Sequence, residues 1–274
     1  MNNYPTFNVD EIPSIIEDFK GLLGIKIIME DKQHFLYNYF EEYEKGIANV
    51  ILYKFNEKVR ELASYAQYVL TFRHDWSCPE VYLYLRTKLM DPNLVKETIF
   101  EFRAAYHYKY QHKEVVWLPN IGSDSELDLK VVTSSGKTVM VECTRKTEKG
   151  HRLSNFKVFQ RDIIKALNDK SKQLNKSFLP TMVSIFIPEH FDWYDLKQLP
   201  LLSDKIMKKF MNLEYKNISG ITIVSARLPK VKLINETTEY TDFDSNVFSM
   251  VNEFASYQLP KDFYYGIDQS QEGK

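Results

Sequence analysis

Residues 126–146 read Glu-Leu-Asp-Leu-Lys-Val-Val-Thr-Ser-Ser-Gly-Lys-Thr-Val-Met-Val-Glu-Cys-Thr-Arg-Lys. Leu127, Leu129 and Val131 alternate with Asp128, Lys130 and Val132, and Val139, Val141 and Cys143 alternate with Met140, Glu142 and Thr144. A period of two in apolar and β-branched residues marks half-buried strands. Ser134-Ser135-Gly136 between the two runs supplies a turn, with Gly136 free to take a positive φ. The stretch therefore reads as a β-hairpin. Leu127, Leu129, Val141 and Cys143 fall on its core face, and Asp128, Lys130, Glu142 and Thr144 on the other, with Lys146 sharing their parity. Asp is depleted in strands, so Asp128 inside Leu-Asp-Leu asks for a chemical reason. Two acids on neighbouring strands, with basic residues close by, are the minimal apparatus for holding a divalent cation against a phosphodiester.

Outward from the hairpin, the N-terminal third shows apolar spacings of three and four over residues 10–20 and 33–71, with Gly46 as a break, and again over 79–89. Asp91-Pro92 reads as the start of a helix over 92–112, with Asp91 as N-cap and Pro92 at the first helical position. Val115–Leu118 is a short buried strand. After the hairpin come a helix over 155–175, a strand from Thr181 to Ile187 closed by Pro188, a helix over 201–211 and a buried strand over 218–226. Residues 229–236 add an edge strand and 244–256 a last helix. The expected division is a helical region over 1–90, an α/β domain over 91–268 and a polar tail over 269–274.

From residue 92 the order is helix, three strands, helix, strand. This order, together with Asp128 and Glu142, resembles the PD-(D/E)XK nuclease superfamily over about residues 92–226. The resemblance implies an α/β fold, a restriction-endonuclease-like αβββαβ core with a mixed central sheet, behind the helical N-terminal region. It implies Asp128 as the first acid and Glu142 as the second, with thirteen residues between them. The third position of the pattern, a lysine two residues after the second acid, is here Thr144. Lys146, two residues further along the strand, and Lys130, beside Asp128, are the expected substitutes. A glutamate on the first helix often joins such a site; Glu101 is the candidate, with Glu97 one turn earlier as the alternative. Arg145, Lys170, Lys172 and Gln173 are the residues expected to meet nucleic acid. The implied cofactor is Mg²⁺ or Mn²⁺, held by Asp128, Glu142 and the backbone carbonyl of Val141 or Cys143. Hard oxygen donors select these ions over Zn²⁺. The implied activity is phosphodiester hydrolysis, with DNA the expected substrate and RNA the alternative. An inactive nuclease-like binding or assembly module is the competing expectation, raised by Thr144.

Composition limits the other classes. The chain has 274 residues, 44% hydrophobic, with a net charge of −1. That charge is unevenly spread: residues 130–176 carry 12 Lys and Arg against 4 Asp and Glu, whereas residues 1–77 carry 8 against 12. The basic excess follows the hairpin, where a phosphate backbone would pass. Only Cys78 and Cys143 are present, too few for a disulfide framework. The six His show no ligand spacing, which argues against zinc. Tyr106 and Tyr110, with Lys109 and Lys113 nearby, offer rings for base stacking, with core or interface packing the commoner expectation for such rings. No apolar run is long enough to span a membrane, so a cytoplasmic chain is expected. The helical N-terminal region is the expected surface for a protein partner or a second copy.

Overall fold

The structure is a computed structural model. It describes residues 7–47, 56–73, 79–111, 114–118, 128–145, 156–174, 178–187, 199–226, 230–235, 238–242 and 245–263. In chain order the elements are β1 (Phe7–Asn8), α1 (Ile12–Leu23), α2 (Lys26–Glu30), α3 (Tyr37–Ile47), α4 (Glu57–Leu70), α5 (Pro79–Met90), α6 (Val95–Tyr110), β2 (Glu114–Trp117), β3 (Leu129–Val132) and β4 (Thr138–Arg145). They continue with α7 (Phe156–Gln173), β5 (Thr181–Ile187), α8 (Leu199–Met211), β6 (Gly220–Ala226), β7 (Lys230–Asn235), β8 (Thr238–Asp242) and β9 (Ser245–Val251). The α/β class expected from the sequence is what the chain adopts, with helices first and a mixed sheet after them. No described helix is long and apolar enough to cross a membrane.

Two compact units share the chain. One comprises residues 2–106 with 228–244, the other 107–227 with 245–274. The boundary between them falls within α6.

In the first unit, α1 buries Ile12, Ile16, Phe19 and Leu23, one stripe at helical spacing. Gly24, at φ +69°, ends the helix in the left-handed conformation and returns its N–H to the Lys20 carbonyl. α4 begins under the side chain of Asn56, which accepts the N–H groups of Lys58 and Val59. It packs against α1 and α3. α6 starts at Val95, not at Pro92. Asp91 caps a separate turn, accepting the Asn93 N–H at 2.8 Å, before the helix proper begins. Tyr106 is buried with its ring edge-on to that of Tyr68 at 5.1 Å, so it packs in the core, the commoner of the two expectations. Residues 230–235 do not extend the main sheet; β7 pairs with β8, and β8 with β1, in a separate three-stranded sheet.

His34 shows how the first unit responds to acid. It is 2% exposed, its Nδ1 accepts the Leu36 N–H at 3.2 Å, and its Nε2–H donates to the Leu89 carbonyl at 3.0 Å. These two bonds specify a neutral ring. Burial lowers its pKa, outweighing the Leu89 carbonyl, Asp31 and Asp91, which all favour the charged form. The folded state therefore binds a proton less readily than the unfolded chain. The contribution to stability is complete at neutral pH and declines as the pH falls below about 6.5, where the unfolded imidazole begins to charge. The unfolding temperature should drop between about pH 7 and pH 5, and His34→Gln should flatten that dependence. An unchanged slope in the variant would assign the acid response to other groups.

The second unit is built on a six-stranded sheet of order β2-β3-β4-β5-β6-β9. β2–β3 and β3–β4 are antiparallel, β4–β5 and β5–β6 parallel, and β6–β9 antiparallel. Residues 245–251, expected as a helix, form the edge strand β9. Phe248 stands opposite Ile223 and Met250 opposite Ile221, whereas Ser249 meets Thr222. A stretch reading Ser-Asn-Val-Phe-Ser-Met-Val satisfies both periods weakly, and pairing along the whole of β6 decides for the strand.

Both faces of this sheet are covered. On one face, Val183, Ile185, Ile221, Ile223 and Met250 form a core with Phe159, Ile163 and Leu167 of α7 and Leu202, Ile206 and Phe210 of α8. On the other, Tyr108 from the end of α6 donates to or accepts from Ser184 at 3.1 Å and packs against Phe263 at 5.5 Å between rings. Burial drives the Tyr108 phenol far above its usual pKa, so it stays protonated. Central parallel strands are normally buried on both faces, and β5 and β6 follow that rule.

Candidate active site

The hairpin forms with the expected register: Leu129 pairs with Val141, Val131 with Val139 and Val132 with Thr138. Gly136 takes φ +76° in the turn. Asp262 fastens that turn, accepting the Ser135 N–H at 2.8 Å and the Ser134 hydroxyl at 3.0 Å. Desolvation pushes the Asp262 pKa up, but these hydrogen bonds outweigh it and hold the carboxyl well below the usual range.

Asp128 lies one residue before β3, and Leu127 falls outside the described residues. The paired ladder ends at Leu129–Val141. The Asp128 N–H reaches the Val141 carbonyl at 3.3 Å, and Asp128 Oδ2 accepts the Cys143 N–H at 2.8 Å. The first acid is thus tied to the backbone beside the second.

Glu142 departs from the expected setting. Along the parallel strands it is in register with Val183, Val183 with Ile221, and Ile221 lies opposite Met250. Glu142 heads a row that is otherwise apolar and lies under α7. The face carrying it is therefore no open face, and the residue is only 3% exposed. A carboxylate in such a place needs a counter-charge, because removing it from water unpaired is costly. Lys170 of α7 provides one: its Nζ contacts Glu142 Oε1, and its side chain is 19% exposed. Lys170 was expected at a nucleic-acid surface; the structure places it on the second acid.

The remaining candidates are distributed as follows. Cys143 is a buried thiol outside any disulfide, and its N–H bonds the Asp128 carboxylate. Thr144 is half-buried and in register with Ile185. Lys130 pairs across the hairpin with Met140. Arg145 ends β4, and its side chain, like all of Lys146, falls outside the described residues. Lys172 and Gln173 are exposed at the end of α7. Gln160, also on α7, is buried; it donates to the Leu201 carbonyl at 3.0 Å and accepts from Lys205, fastening α7 to α8. Glu101 belongs to the first unit, where Lys88 Nζ lies 2.6 Å from both of its oxygens.

The sequence held one signal for the Lys170–Glu142 pair. Lys170 falls within the apolar stripe of its helix, three residues beyond Leu167 and four before Leu174, both buried. A lysine at a core-facing position asks for an acid on the surface that the helix covers. No protein-family model, curated protein or solved structure matches this chain.

Proposed function

We propose that this chain is a metal-dependent nuclease that hydrolyses phosphodiester bonds, with DNA as its substrate and the cytoplasm as its place of action. One observation carries the reading: Asp128, one residue before β3, is tied by its carboxylate to the β4 backbone next to Glu142, and an ammonium group already lies on Glu142. The donor set suits a hard divalent cation. Asp128, Glu142 and the Cys143 carbonyl are oxygen donors, as Mg²⁺ and Mn²⁺ prefer. When bound there, such an ion polarises phosphoryl oxygens and lowers the pKa of a coordinated water. The chain's own residues do the rest. The Cys143 N–H orients the Asp128 carboxylate, and Lys170 places its ammonium on Glu142 in an otherwise apolar row. The basic excess over residues 130–176 favours a phosphate backbone as the ligand.

Thr144 and the Lys170–Glu142 contact together support a second reading. An ammonium held permanently on Glu142 would neutralise the acid and leave a nuclease-like module that binds without cutting. Purified protein is expected to nick supercoiled plasmid DNA in Mg²⁺ or Mn²⁺ and to stop on chelation, with single-stranded RNA assayed beside it. Absence of cleavage on both substrates, together with retained DNA binding, would select the second reading.

A further inference from the structure

Glu142 and Lys170 are ionisable partners in a place built for neither. The carboxylate heads the row Glu142, Val183, Ile221, Met250, and the lysine occupies a stripe position of α7. Their side chains are 4% and 19% exposed, so the acid is enclosed while the lysine stem retains access to solvent. An ammonium on one oxygen of a carboxylate repels a divalent cation approaching the other, the more so at low dielectric. The lysine is the partner able to move, since a flexible four-carbon stem carries its charge.

We propose that Lys170 is the resident counter-ion of Glu142 and competes with the divalent cation for it. In the metal-free protein the ammonium neutralises Glu142. Metal binding displaces it from Oε1, and the displaced ammonium becomes the positive charge presented to the phosphate, in the role left vacant by Thr144. This inference rests on the nuclease reading. It makes Lys170 a positioning residue for Glu142 first and an electrostatic partner of the substrate second.

Calorimetric titration of Mn²⁺ into the full chain, without nucleic acid, tests the competition. Lys170→Met keeps the stem and deletes the charge, and it should bind Mn²⁺ about tenfold more tightly than wild type, the scale of one charge-assisted hydrogen bond. At saturating Mn²⁺ the same variant should cleave DNA at least ~100-fold more slowly. Should Lys170→Met fail to fold, the wild-type protein still gives the answer. The ¹⁵Nζ resonance of Lys170 should shift on titration with Mg²⁺ and saturate with the calorimetric affinity. Equal Mn²⁺ affinity in wild type and Lys170→Met, or a Lys170 resonance unmoved by saturating Mg²⁺, overturns the competition and leaves the nuclease reading standing. Failure of both proteins to bind Mn²⁺ overturns both.

Discussion

Glu142→Gln is expected to lower metal-dependent cleavage at least roughly 1000-fold, because it deletes the charge of a ligand while preserving its volume. The side chain is buried beneath α7, so the substitution also leaves the Lys170 ammonium facing a neutral amide. Breaking one half of a buried ion pair is destabilising, and a loss of about 1–3 kcal/mol is expected because the partly exposed ammonium exchanges a charged partner for a neutral one. The measurement is the initial rate of plasmid nicking at saturating Mg²⁺, with circular dichroism confirming that the variant is folded at the assay temperature. Asp128→Asn is the companion. Its side-chain carbonyl can still accept the Cys143 N–H, so the strand end should hold while cleavage falls by at least ~100-fold. Wild-type rates in a folded Glu142→Gln protein would remove the hairpin from the chemistry.

The hairpin was legible because alternation, a Ser-Ser-Gly turn and an apolar register all point to the same pairing, and local order of this kind is written in neighbouring residues. Strand β5 and helix α7 were legible for the same reason, each being a run with a clear pattern bounded by Pro or polar residues. What the sequence hid was set by distant partners. β9 is a strand because β6 offers seven residues to pair with, and nothing inside residues 245–251 announces that. The pairing of β7 with β8, away from the main sheet, is likewise a choice between distant strands. The site follows the same division. Asp128 and Glu142 were identified from parity within one hairpin, whereas the burial of Glu142 depends on α7 crossing above it. Parity separates the two faces of a strand but does not say which face a helix will cover; here α7 covers the face that carries Glu142.

Phe210→Ala is expected to destabilise the protein by about 3–5 kcal/mol, the range for truncating a fully enclosed aromatic ring. Leu202, Ile206 and Phe210 recur every fourth residue along α8 and line the side facing the sheet core, where Phe210 is 0% exposed and its ring lies 6.2 Å from that of Tyr215. Met207, on the same helix and 38% exposed, provides the internal contrast: Met207→Ala should cost no more than about 0.5 kcal/mol. Urea unfolding of the two variants, compared at constant denaturant slope, separates a lost core contact from a change in the unfolded chain. The effect also bears on the site. The Leu201 carbonyl and Lys205 hold Gln160 on α7, and α7 carries Lys170 to Glu142. A cavity at Phe210 should therefore loosen α7 and weaken the Lys170–Glu142 contact before the sheet itself unfolds. A loss below about 1 kcal/mol, outside the range for an enclosed Phe, would mean that α8 does not close over the sheet as described.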